Sequence, residues 1–171
     1  VITAYNSIPY ETEINVIAPD GSYMLLDDFS ISNNNDEAVN FSDQVSLSVM
    51  IENVGTETSG FITATLINQT SNAIVLTSSV NIDSVAADQV LEAGPFEFEV
   101  SSNVLNQEEI EFILLIEESE NSWEYPILLT ANAPEYSMES SSIFDGGNGA
   151  LEPGENAVSY THLRAHETTC H

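Results

Sequence analysis

The chain has 171 residues, and its 28 Asp and Glu face a single Lys or Arg, for a formal charge of −27; 42% of the residues are apolar. That balance excludes nucleic acid and anionic membranes as partners, since both need basic side chains to neutralise phosphate, while the apolar share is enough for a core and excludes wholesale disorder. Intramolecular salt bridges are nearly impossible, so the carboxylates must be held apart, solvated or bridged by bound cations.

The sequence starts at Val1 without Met and in an alternating stretch, as expected of an internal fragment of a larger protein. No run approaches the roughly 20 apolar residues needed to span a bilayer. Residues 1–20 read as the end of a preceding β domain, and the string APDG at 18–21 forms a turn that doubles as a linker.

Beyond it the hydrophobic period is 2 throughout, with no sustained 3.6-residue stripe, which predicts an all-β chain. Strands are expected over residues 11–18, 23–29, 45–52, 61–66, 74–79, 96–101, 109–117 and 123–129. Val45, Leu47, Val49 and Ile51 share one face, and Ser46, Ser48, Met50 and Glu52 the other, so one side is core and the other wet. Phe96, Phe98 and Val100 alternate with Glu97 and Glu99, and a slip of one residue would bury both carboxylates. Ile110, Phe112, Leu114 and Ile116 form a third inward row. Because Ile113 and Leu115 make the second face apolar too, 109–117 reads as a central strand. Pro126, with no amide hydrogen, puts 123–129 at an edge or a bulge. The aromatics, Trp123 included, read as packing groups, with no carbohydrate platform. Short strands separated by Asn, Gly, Ser and Asp turns over 21–132 are the pattern of an immunoglobulin-like β-sandwich.

Residues 130–136 read as a second linker, and 133–157 as the truncated start of a second similar domain. An offset of 112 aligns Ile31 with Ile143, Asn33 with Asp145, Asp36 with Asn148, Val39 with Leu151 and Asp43 with Glu155, as in a tandem array. The composition then changes abruptly. Residues 1–157 contain no cation, no His and no Cys; His162, His166, His171, Arg164 and Cys170 all fall in the last ten. Residues 158–169, VSYTHLRAHETT, resemble translated sequencing-adapter read-through, so 158–171 is read as a non-native tail. Lacking a core-forming alternation, it is expected to stay out of any sheet and to carry no metal site.

No Ser-His-Asp or Cys-His arrangement can form in 1–157, and with so many carboxylates no single pair points to acid–base work. The chain is therefore not expected to be an enzyme, and no cofactor is required. The chemistry that fits the composition is calcium coordination, which takes six to eight oxygens from carboxylates, amides and carbonyls. Asp145, Asn148 and Glu155 are the candidate ligands in the second copy. Asn33, Asn35, Asp36 and Asp43 are their weaker counterparts in the first, whose loop lacks the glycines. An Asx-rich turn is the plain alternative.

Three motifs carry resemblances. Residues 51–59, IENVGTETS, look like the strand-Asn-x-Gly turn of bacterial adhesion-type sandwich domains, and residues 145–155, DGGNGALEPGE, resemble the opening of such domains. Residues 2–11, ITAYNSIPYE, are similar to the segment closing the immunoglobulin-like domain behind the catalytic domain of gingipain-like cysteine peptidases, exported by the Bacteroidetes secretion route. The resemblance implies a bacterial, extracellular or cell-surface location, and a non-catalytic spacer or interaction module of an exported peptidase whose catalytic Cys and His lie in a domain absent here. Its partners would be neighbouring domains of the same polypeptide, with a protein substrate or surface ligand. The alternative is an adhesin-type tandem-repeat protein with no enzyme attached.

Overall fold

The structure, a computed structural model, describes residues 13, 17, 19–33, 38–144, 154 and 158–166. The expected strand at 11–18 and the motif at 2–11 lie outside the described residues, or nearly so. All the regular structure described is β. A four-stranded sheet has the order β1 (Met24–Ser32), β3 (Gln44–Asn53), β7 (Val90–Val100), β5 (Ala73–Thr77); a five-stranded sheet has the order β2 (Val39–Asn40), β9 (Asn121–Asn132), β8 (Glu108–Glu118), β4 (Ile62–Asn68), β6 (Ser79–Ile82). The two sheets form an immunoglobulin-like β-sandwich.

The inward rows read from the sequence make the core. Val45, Leu47, Val49 and Ile51 of β3, Phe96, Phe98 and Val100 of β7, and Ile110, Phe112, Leu114 and Ile116 of β8 are all buried. Phe98 and Phe112 meet across the sandwich with ring centroids 4.8 Å apart, an aromatic contact joining the two sheets. As expected, β8 lies in the middle of its sheet. Pro126 sits where β9 is paired only to β8, because β2 reaches no further along β9 than Ala131 and Asn132. Its missing donor therefore costs no ladder bond.

Two strands change sheets, and alternation alone did not reveal either. The single strand expected at 74–79 divides at Ser78: β5 pairs with β7, and β6 crosses to β4 in the other sheet. The Ser78 carbonyl accepts the Leu66 N–H at 2.7 Å, the first bond on the far side. Likewise the chain leaves β1 in the four-stranded sheet and re-enters as β2, parallel to β9. Strand β7 also begins six residues before the expected 96, and its pairing with β3 shifts between Leu47 and Val49. Gly94 lies opposite that shift with φ +135, where a Cβ would come within 3.0 Å of the Leu47 carbonyl oxygen, so only glycine fits.

The linker expected at 130–136 shrinks to Ala133 and Pro134, because β9 continues to Asn132 and β10 (Glu135–Phe144) begins at once. Strand β10 pairs antiparallel with β11 (Val158–His166) in a separate two-stranded sheet. The tail therefore does join a sheet, contrary to its lack of alternation. The physical reason is that ladder bonds use backbone groups and do not consult the side chains. The hairpin builds no core: Tyr136, Met138, Phe144, Val158, Tyr160 and Leu163 are all exposed.

Its register is that of β1 and β3 displaced by 112. The pairs Met24↔Asn53, Asp28↔Met50 and Ser32↔Ser46 become Tyr136↔Ala165, Ser140↔His162 and Phe144↔Val158, and the irregularity between Leu26 and Asp28 reappears between Met138 and Ser140. The 112-residue offset first read from the sequence thus extends to strand pairing.

Candidate functional site

Of the candidate calcium ligands, Asn33 and Asp43 are described; Asn35, Asp36, Asp145, Asn148 and Glu155 lie outside the described residues. Asn33 follows the end of β1 and Asp43 precedes β3, and the fold brings them together. Asp43 Oδ2 accepts three N–H groups: Asn33 Nδ2 at 3.0 Å, Asn40 Nδ2 at 3.0 Å and the Asn40 backbone amide at 3.1 Å. Asn33 Nδ2 also donates to the Ala38 carbonyl at 2.8 Å. The Asp43 backbone completes the clamp, its N–H donating to the Asn40 carbonyl at 3.2 Å while its carbonyl accepts the Val100 N–H at 2.8 Å. Ser42 takes the left-handed conformation, φ 62, that closes this turn.

Chemically, this is a carboxylate neutralised by amide donors. One Asp43 oxygen is committed to N–H groups, and Asn33 turns its NH2 rather than its oxygen toward it. No group of three or more His, Cys, Asp or Glu side chains suited to hold one ion occurs among the described residues. Two open clefts flank the turn. One, of about 260 Å³, is polar, lined by Ser32, Asn33, Gln44, Ser46 and Glu97; the other, of about 380 Å³, is mixed, with Ile74 and Val100 beside Ser42, Ser71, Glu99, Ser101 and Ser102. Both are hydroxyl-rich, and neither contains His, Cys, Lys or Arg.

At residues 53–60, the 51–59 motif proves to hold the fold. Asn53 is fully buried, and its side chain makes four hydrogen bonds. Nδ2 donates to the Glu57 and Val85 carbonyls at 2.8 and 2.9 Å, while Oδ1 accepts the Tyr23 and Gly55 N–H groups at 3.0 and 3.1 Å. One amide thus satisfies four backbone groups from three separate segments, as burial demands. A Cβ on Gly55 would lie 2.2 Å from the Gly21 carbonyl oxygen, an impossible approach, so glycine is obligatory there. Ser59 exchanges hydrogen bonds with Val85 at 2.7 and 2.9 Å.

Glu118, at the end of β8, was not singled out in the sequence, where it is one acid among many. It is buried, its carboxylate accepting the Ser22 hydroxyl and the Gly60 N–H. Only the tertiary contact distinguishes it from Glu117, its exposed neighbour.

No protein-family model matches the chain, and no curated protein matches it. Solved structures that it resembles include a β-glucuronidase from glycoside hydrolase family 2, at 10% identity and a TM-score of 0.39 over 67% of this chain. The chain spans only 12% of that enzyme's length. Another is the YadV chaperone, at 11% identity and a TM-score of 0.37, covering 81% of this chain and 83% of that one.

Proposed function

We propose that this chain is part of a tandem array of acidic β-sandwich units that serves as a non-catalytic spacer and interaction module of an exported, gingipain-like cysteine peptidase. The observation that carries the reading is the start of a new strand directly after the sandwich: β10 ends at Phe144, 112 residues after β1 ends at Ser32, and the Asx-rich segment that follows each strand keeps that offset. A unit that begins again with the same strand suits a string of like modules, each burying its own core.

The pairing of β10 with β11, set beside that of β1 with β3, supports reading the tail as foreign. It puts Ser159 and Thr161 where β3 has the core residues Leu47 and Val49, and Ala165 where Asn53 makes its four bonds. Calcium is proposed at the Asx-rich turn of each unit. The peptidase half of the reading rests on residues 2–11. The 51–59 motif does not separate peptidase from adhesin, since its Asn, Gly and Ser serve the fold.

The test is to read the same locus from an independent, longer clone. The expected result is an upstream α/β domain with a Cys and a His placed as nucleophile and base, and, in place of 158–171, strands completing a second sandwich. Upstream sequence showing only further acidic sandwich repeats would overturn the peptidase in favour of an adhesin array. A retained His-rich tail would overturn the artefact.

A further inference from the structure

The two outer faces of the sandwich differ. On the four-stranded sheet the outward residues around the centre are polar, Ser30 and Ser32 on β1, Gln44, Ser46 and Ser48 on β3, Glu97 and Glu99 on β7, while the exposed aliphatics Ile74 and Leu76 lie on the edge strand β5. On the five-stranded sheet, Ile67, Ile113 and Pro126 stand side by side on β4, β8 and β9 as direct cross-strand partners. Two residues further along each strand, on the same face by the period of 2 but on opposite sides of that row because β8 and β9 are antiparallel, come Leu115 on β8, opposite Glu124, and Leu128 on β9, opposite Glu111. Leu128 is 55% exposed and Ile67 38%. These five side chains make one apolar patch that contributes nothing to the core. Its rim is acidic: Glu109, Glu111 and Glu117 point outward from β8, and Glu124 from β9 opposite Leu115.

From this face we infer that the outer surface of β4, β8 and β9 docks a basic protein surface, one with aliphatic side chains set among Lys and Arg. The charges select the occupant. A second copy, or a neighbouring unit of the same array, would press glutamates against glutamates, because residues 1–157 hold no Lys or Arg to intervene. An anionic bilayer is repelled for the same reason. A partner with an aliphatic centre and a cationic ring covers the apolar row while pairing the rim. Apolar contact supplies the affinity there, and the charges supply speed and choice of partner. The inference rests on the interaction half of the proposed function and on neither the peptidase nor the array.

The probe is the acetylated, amidated peptide KLVKLVK, titrated into the 15N-labelled full chain, with KGSKGSK, of equal charge but without aliphatics, as its control. The expected result is saturable shifts confined to β4, β8 and β9 with KLVKLVK, not reproduced by KGSKGSK. Replacing Ile67→Ser and Leu128→Ser together weakens binding about tenfold, with the rest of the spectrum unchanged because neither side chain belongs to the buried core. Glu111→Gln with Glu124→Gln lowers the salt dependence. Equal binding of the two peptides, or full binding by the double serine variant, would overturn the inference and leave only diffuse attraction to an acidic chain. Self-association in calcium that the serine variant abolishes would overturn it in favour of a second copy. Any of these failures leaves the 112-residue offset and its clone test untouched.

Discussion

The Tyr125 hydroxyl donates to the Met24 carbonyl at 2.5 Å, tying β9 of one sheet to the first residue of β1 in the other. Burial raises the Tyr125 pKa above the ordinary phenol value of 10.0, and the nearby Tyr23 pushes it the same way. Between 10.0 and that higher value the unfolded chain loses the proton while the folded chain keeps it. The stabilisation is therefore complete below pH 10 and is lost as pH rises through the folded value. Thermal midpoints from pH 8 to 11 should fall more steeply for the wild-type protein than for Tyr125→Phe, which should start about 1 kcal/mol lower at neutral pH. Parallel curves would show that Tyr125 plays no part in alkaline unfolding.

Truncating Asn53 should be among the most damaging polar substitutions. Asn53→Ala strands the Tyr23 and Gly55 N–H groups and the Glu57 carbonyl, and leaves the Val85 carbonyl with the Ser59 N–H alone. A loss of about 3 kcal/mol or more in urea unfolding is expected, since each buried group left without a partner costs roughly 1–3 kcal/mol. Asn132→Ala, whose side chain bonds at the half-buried end of β9, should cost less than half as much.

Millimolar Ca2+ should raise the thermal midpoint more than Na+ at matched ionic strength, because an oxygen cage discriminates between ions and screening does not. Asp43→Asn should abolish the difference. Equal effects of the two salts would reduce the Asx-rich turn to the amide-clamped loop around Asp43 Oδ2.

A chain ending at Ala157 should unfold at the same temperature as the full chain. Strand β11 pairs only with β10, and the apolar residues of that hairpin are exposed. A drop of more than about 5 °C, or roughly 1 kcal/mol for a domain of this size, would show that the tail packs on the sandwich.

The sequence by itself determined which residues face inward. Phe96, Phe98 and Val100 alternate with Glu97 and Glu99, and no pairing that buried the glutamates could compete, so this strand and its burial were legible before any partner was known. The same holds for β3 and for the two-sided apolar pattern that made β8 central. Tertiary structure alone decided who pairs with whom. Residues 74–79 read as one strand, yet they divide between two sheets at Ser78, because alternation reports a side chain's environment and is silent on the backbone partner. Asn53 and Glu118 look like any other surface Asn and Glu until Tyr23, Val85, Ser22 and Gly60, which lie far away in sequence, close around them. The row of Ile67, Ile113 and Pro126 exists only once β4, β8 and β9 lie in register, since residues up to 59 positions apart become neighbours through hydrogen bonds that no local pattern encodes.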